Sequence, residues 1–210
     1  IGVDAIIVAD MGIFSLAKRV APGLELHVST QASTTNWHTV QMWKELGATR
    51  VVAAREVSLA DLKEMKDNVD IEIESFVHGS MCISYSGRCL LSNYMTGNRD
   101  ANRGQCSQSC RWKYSLVESN RPGEYYPIEE DEHGTYIFNS KDLCLIHRIP
   151  DLYEAGIDSL KIEGRMKSVH YCATVAKVYR TAIDTYLKEG KDWYVRPEWI
   201  AELEKISHRP

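Results

Sequence analysis

The chain has 210 residues, 44% of them hydrophobic, with 25 Lys and Arg set against 29 Asp and Glu. That length and balance give one sizeable globular domain with a real core and exclude a disordered segment. A formal net charge of −4 excludes a surface that is basic throughout, while leaving room for a local phosphate-binding patch.

No apolar stretch reaches the roughly 18 uninterrupted residues of a membrane span, and no Lys-led signal peptide opens the chain, so the expected place is the cytoplasm, with no membrane partner. Ile1-Gly2-Val3-Asp4 resembles the end of a helix and the turn into a strand, and the chain is expected to be a piece of a longer protein.

In chain order, short β-branched runs predict strands at Ala5–Asp10, Glu25–Thr30, Arg50–Arg55, Asp70–Phe76, Thr135–Asn139 and Ser159–Glu163. Between them, Asn36–Leu46 and Leu59–Met65 carry apolar residues at helical spacing and end near Gly or Gly-Ala turns. Lys44-Glu-Leu-Gly-Ala-Thr-Arg-Val-Val and Tyr153-Glu-Ala-Gly-Ile-Asp-Ser-Leu-Lys-Ile echo one another as helix end, Gly turn and strand. Repeated strand–helix units mean an α/β fold. No Gly-rich phosphate fingerprint follows the first strand, so the expectation is a (β/α)8 TIM-like barrel, incomplete in this chain, over a doubly wound sheet.

The rhythm breaks between Gly79 and Tyr136, where Ser, Asn, Gly, Arg and Cys predominate and Pro122-Gly123 marks a turn between two hairpin strands. This reads as a long Cys-rich βα loop insertion over 79–135, placed where barrels carry their active sites. Residues 1–190 are then the partial barrel, with a helix over Lys167–Glu189. Residues 191–210 begin a following helical segment, with a helix suggested over Val195–His208.

The densest chemistry is Glu74-Ser-Phe-Val-His-Gly-Ser-Met-Cys-Ile-Ser-Tyr-Ser-Gly-Arg-Cys89, a carboxylate, an imidazole and two thiols at the end of an apolar run. Cys82 and Cys89 are separated by six residues, Cys89 and Cys106 by sixteen, and Cys106 and Cys110 by three. None of these gaps is that of a zinc ribbon, whereas ligands gathered irregularly from a long loop suit an iron–sulfur cluster; zinc is the alternative. Spacing favours Cys110 over Cys144 as the fourth ligand. Cys172 shares a helical stripe with Val169, Ala176, Tyr179 and Ile183 and reads as a small buried hydrophobe.

His78, just past its strand, is expected to line the barrel mouth as a general acid or base, a hydrogen-bond donor or a ligand, against a purely structural role. Glu72 and Glu74 point to one side of their strand, as catalytic groups or as members of a buried ion pair. Lys161, Glu163, Arg165 and Lys167 alternate in charge around Gly164 and form the best anion-binding candidate. Arg88, Arg99, Arg103, Arg111 and Lys113, with Tyr94, Trp112 and Tyr114, mix cations with aromatic faces as RNA-binding surfaces do.

Four blocks resemble the collagenase-like peptidase family U32: Glu74–Cys89, Asn102–Trp112, Asn139–Leu145 and Ile157–Ser168. With the strand pattern before them the resemblance covers nearly the whole chain. It implies oxygen-independent hydroxylation, of the tRNA wobble uridine, of ribosomal RNA or, in a paired type, of a ubiquinone precursor; the tRNA type is most similar over these blocks. It further implies prephenate as co-substrate, tRNA or other RNA and a small anionic metabolite as partners, a protein partner in the paired type, and a 4Fe-4S cluster on Cys82, Cys89, Cys106 and Cys144, with Cys110 the alternative fourth ligand. The site residues expected with it are His78, Glu74 and Glu163 as catalytic groups and Lys161, Arg165, Arg103 and Arg111 as substrate-binding groups. Ser109-Cys110 stands where relatives often have Pro-Cys. The family's older name keeps peptidase activity as an alternative, yet the chain has no His-Glu-x-x-His helix and no Gly-x-Ser-x-Gly elbow, and Cys82 with His78 is its one cheap route to a nucleophile.

Overall fold

The computed structural model describes residues 2–82, 84–86, 88–112, 114–127 and 142–208. The elements run β1 (Ala5–Val8), α1 (Met11–Val20), β2 (Glu25–Val28), α2 (Trp37–Leu46), β3 (Arg50–Val52), α3 (Leu59–Asn68) and β4 (Glu72–Ser80). After β4 come α4 (Leu91–Thr96), the two-residue strands β5 (Ser115–Leu116) and β6 (Tyr126–Pro127), then β7 (Asp142–Cys144), α5 (Ile149–Glu154), β8 (Ser159–Glu163), α6 (Val169–Glu189) and α7 (Pro197–Glu204).

Side chains set the helix starts where the sequence offers caps. Asp10 accepts from the backbone of Ile13 at 2.8 Å, and Asn36 accepts from Thr39 at 3.0 Å. Ser58 and Asp61 form a reciprocal capping box, and Ser168 accepts from Tyr171 at 3.1 Å.

Five strands pair in parallel in the order β1-β2-β3-β4-β8, and β7 adds antiparallel to the C-terminal end of β4. The expected α/β architecture is therefore present as an open, parallel-rich sheet. Among the described residues it does not close: β1 pairs only with β2, and β8 only with β4. The strand expected at Thr135–Asn139 lies outside the described residues. The turn at Pro122-Gly123 lies between β5 and β6, which pair antiparallel.

The core lies between the sheet and its helices. Val28, Val51, Ile73 and Val77 from the strands, Val40 and Met65 from α2 and α3, and Val175 and Ala182 from α6 are fully buried in one cluster. Only Glu72 of β4 is exposed, as expected of a central strand covered on both faces.

Two local features of β4 shape the site. Its pairing with β8 runs Phe76↔Lys161 and then His78↔Ile162, so one extra residue is accommodated between Phe76 and His78. A bulge of this kind bends the strand and re-aims the side chain beside it. Further on, Gly79 has φ +107, and a β-carbon there would lie 2.4 Å from the Glu163 carbonyl, so a side chain would force β4 and β8 apart.

Candidate functional site

A cavity of about 570 Å³ opens where the parallel strands end. Its floor is Ile7 of β1, Val52 of β3, Phe76 and Ser80 of β4, and Lys161 and Glu163 of β8. One wall is the segment after β4, which contributes Cys82, Cys89, Cys106 and Cys110. The loop after β8, carrying Gly164 and Arg165, forms another.

The segment bearing the thiols is held by polar pins. Ser86, between Cys82 and Cys89, is 1% exposed; its Oγ accepts from the Arg55 backbone N–H at 3.2 Å and donates to the Glu56 carboxylate at 3.1 Å. Thr30 Oγ1, which donates to the Ala53 carbonyl at 3.1 Å, lies 3.4 Å from the same hydroxyl. Further along, Ser92 meets Ser107 at 3.0 Å, and Asn93 donates to Asp100 at 2.7 Å. Arg111 pairs with Asp142 of β7 and donates to the Met81 carbonyl at 3.2 Å, both of its ion-pair side chains being buried.

Burial pushes the Cys82 and Cys110 thiols up. Cys89 and Cys106 add to the rise at Cys82, while Arg55 pulls against it. These mutual influences follow from four sulfurs sharing one cavity. Among the described residues no three His, Cys, Asp or Glu side chains are gathered tightly enough to hold a metal ion. As a donor set, however, four thiols on one wall fit a soft metal or an iron–sulfur cluster. Cys144, in contrast, is exposed on β7, opposite His78 in the register, with its Sγ 3.9 Å from Tyr179 Oη, and is not part of the cavity wall. Cys172 sits half-buried on α6, its Sγ 3.5 Å from the Gly164 carbonyl.

The cavity is rich in cations. Arg55, Arg103, Arg111, Lys161 and Arg165 line it, against Glu163 as its one carboxylate among the described residues. Lys161 is held by Glu74 at 2.5 Å, and Arg103 lies 3.6 Å from Asp100 with most of its side chain in solvent. The Arg165 guanidinium makes no hydrogen bond or ion pair among the described residues and covers Gly104 so closely that a β-carbon there, at φ +73, would lie 1.8 Å from it. The positive φ favours glycine there, and a side chain would also push the end of Arg165 aside.

Arg55 was not singled out by the sequence reading. Three residues past β3, its Nη2 donates to Glu163 Oε2 at 2.8 Å and its guanidinium lies over the Phe76 ring at 4.2 Å. Only the Arg at a strand end signalled it.

Glu74 is buried in the sheet, bonded to Lys161, to Ser159 at 2.9 Å and to Arg50 at 3.4 Å. Burial pushes its carboxyl up, but Lys161, Ser159 and Arg50 together outweigh that and hold it below the usual range. It is thus the buried ion-pair member that the alternation along its strand allowed.

His78 departs from its expected position. The bulge turns it to the helix side of β4, where it packs against Tyr179 and Tyr171 of α6 at centroid distances of 5.5 and 6.0 Å, and it does not line the cavity. Its Nδ1 is buried without a hydrogen-bond partner. Burial pushes its pKa down to about 4, with Asp142 opposing and Lys167 and His208 assisting. Tyr171, buried beside it, is pushed up to about 12. Cys82 and His78 are therefore not assembled as a thiolate–imidazole pair.

In the segment after β4, Tyr94 and Tyr85 are exposed, and Trp112 stacks on Tyr114 with centroids 6.4 Å apart. Lys113 lies outside the described residues.

Residues 1–210 match the family model of peptidase family U32, and the chain belongs to that family. It is 53% identical over 207 residues to tRNA hydroxylation protein P1 of Bacillus subtilis, covering 99% of this chain and 49% of that protein. It is 42% identical over 248 residues to tRNA hydroxylation protein P of Escherichia coli, covering 99% and 54%. The 23S rRNA 5-hydroxycytidine C2501 synthase of Escherichia coli is 37% identical over 191 residues, 91% of this chain and 28% of that one. The chain spans about half the length of the first two of these relatives. Among solved structures, that of the U32 peptidase Mk0906 aligns with a TM-score of 0.40 and 14% identity, over 76% of this chain and 54% of the other.

Proposed function

We propose that this chain carries the catalytic region of an RNA hydroxylase that acts on tRNA, at the wobble uridine, with prephenate as co-substrate. The observation that carries the reading is the cavity in which four thiols face a cationic wall at the strand ends, taken with the names of the relatives. In this reading Cys82, Cys89 and Cys106 hold a 4Fe-4S cluster, with Cys110 as the fourth ligand on the same wall and Cys144 as the alternative. Such a cluster supplies electron transfer or Lewis-acid chemistry when bound.

The chain's own groups then divide the remaining work. Lys161 and Arg165 meet the anionic co-substrate from the β8 side, and Arg111 and Arg103 from the cysteine side. Glu163, the carboxylate on the cavity wall, holds or moves a proton at the reacting nucleoside. Glu74 keeps Lys161 aimed, and His78 supports β4 from behind. The exposed aromatics Tyr94 and Trp112 stack unpaired bases, and exposed Arg88 neutralises phosphate. In this reading the sheet is part of a (β/α)8 barrel.

The test is made on protein purified without oxygen. About four irons and four acid-labile sulfides per chain are expected, lost in Cys110→Ala and kept in Cys144→Ala. With prephenate and unmodified tRNA, a uridine nucleoside should gain the mass of one oxygen atom. Zinc alone, or no metal, would remove the cluster from the reading, and loss of iron in Cys144→Ala alone would exchange the fourth ligand. An unchanged nucleoside profile with fully loaded enzyme would sink the RNA assignment.

A further inference from the structure

We propose that Arg55 is the anchor for a carboxylate of the small molecule that enters the cavity. This rests on the reading of the cavity as a site for a small anion and names the residue and the chemical group that meet there.

The argument begins with unmet hydrogen-bonding capacity. Six buried side-chain polar atoms among the described residues have no partner, and two of them, Arg55 Nε and Ser80 Oγ, belong to residues that line this cavity. A buried donor left without an acceptor is costly, and such orphans recur where a ligand or water completes the bonding. Arg55 is not loosely placed. Its Nη2 is fixed by Glu163 at 2.8 Å and its plane by the Phe76 ring at 4.2 Å, so the guanidinium is oriented before any ligand arrives.

The edge formed by Nε and Nη2 is the one that takes a planar carboxylate with two parallel hydrogen bonds. Glu163 uses one of those two nitrogens and leaves the other empty. The internal carboxylate is therefore a partial stand-in for an external one, and the two compete for the same edge. Lys161, whose Nζ lies 5.9 Å from the centre of the same Phe76 ring, and the unpaired Arg165 supply further positive charge to the cavity. Of the five lining cations, Arg55 pairs with Glu163, Lys161 with Glu74, Arg111 with Asp142 and Arg103 with Asp100, which leaves Arg165 as the lining cation without a carboxylate partner among the described residues. This geometry predicts opposite effects from the two members of one ion pair, which a merely structural Arg55–Glu163 bridge would not give.

The experiment is calorimetric titration and thermal shift on the 210-residue chain at fixed ionic strength, with malonate, inorganic phosphate and neutral malonamide as probes. Malonate should bind saturably and raise the melting temperature. Arg55→Gln should weaken it by about tenfold or more, as expected on losing a charged hydrogen-bond partner. Arg55→Lys, which keeps the charge and the ring contact but loses the fork, should fall between. Glu163→Gln should bind malonate more tightly than wild type, because the competing carboxylate is gone. Malonamide should not bind, and phosphate should bind more weakly than malonate.

Equal malonate affinity in wild type, Arg55→Gln and Arg55→Lys would overturn the anchor. Phosphate binding as tightly as malonate would overturn the carboxylate assignment. No saturable binding of any probe to wild type would overturn the site itself. Neither RNA nor iron enters this measurement, so its failure leaves the hydroxylase reading to its own test.

Discussion

The parallel strands and the cysteine-bearing segment after β4 hold their functional side chains in different ways. Glu74, Lys161 and Glu163 sit on strands whose backbones are fixed by pairing on β4, and whose opposite faces bury Ile73 and Val77 in the core. The thiols of Cys82, Cys89, Cys106 and Cys110 ride on a segment with little regular structure, held by Ser86, Ser92, Asn93 and Arg111 through individual hydrogen bonds. One region is positioned by many cooperative contacts, and the other by a few separate pins. Stability should therefore respond globally to a change in the first and locally to a change in the second.

The sharpest way to break this comparison is to damage the strands. Ile73 is fully buried in β4, and Ile73→Ala should cost about 4 kcal/mol from lost burial plus the cavity left behind. Thermal melts followed by far-UV and near-UV circular dichroism should shift together by many degrees. A variant that melts like wild type would mean that β4 is not the element on which the rest of the fold depends.

The next effect belongs to His78 and is read through pH. Its pKa is pushed down to about 4 in the folded chain by burial, against an unfolded value near 6.5. The unfolded chain thus binds a proton over a window in which the folded chain does not. The stability contribution is complete above about pH 6.5, falls as the pH drops through the window, and is gone by about pH 4, a loss of about 3 kcal/mol for this one group. Denaturant unfolding of wild type and His78→Phe between pH 7 and 4 should show the extra slope only in wild type. Parallel curves would place the imidazole in a more solvated setting than its packing between β4 and α6 requires.

His78 also shows what a sequence can and cannot disclose. Strand positions were readable because β-branched runs with Gly turns repeat, and β1, β2, β3 and β8 fall where those runs lie. The same alternation placed Glu74 among ion-pair partners. The expectation that His78, just past its strand, would line the mouth fails at the bulge, since an extra residue of β4 accommodated against β8 leaves no mark in the composition of β4. The capping residues Asp10, Asn36, Ser58 and Ser168 went unread, although each acts within three residues of itself and its signal is local. Arg55 was not legible, because its meaning depends on Glu163, 108 residues away. Spacing favoured Cys110 over Cys144 as the fourth thiol, and Cys110 lies on the cavity wall while Cys144 does not.

The smallest effect is the most specific to the second region. Ser86 is almost wholly buried and joins the cysteine loop to Glu56, to the Arg55 backbone and to Thr30. Ser86→Ala removes one hydroxyl and leaves the Glu56 carboxylate with fewer donors, at a cost of about 1 kcal/mol. Because that cost falls on a pin and not on the sheet, the melting temperature should move by only a few degrees. Backbone amides around Cys82 and Cys89 should exchange with solvent faster, and these two thiols should react faster with an alkylating reagent, while Cys106 and Cys110, held through Ser92 and Arg111, keep their wild-type rates. Mass spectrometry of the labelled peptides separates the four. Equal acceleration at all four would mean that the segment opens as one unit, and the contrast between a cooperative sheet and an individually pinned loop would fail at its own hinge.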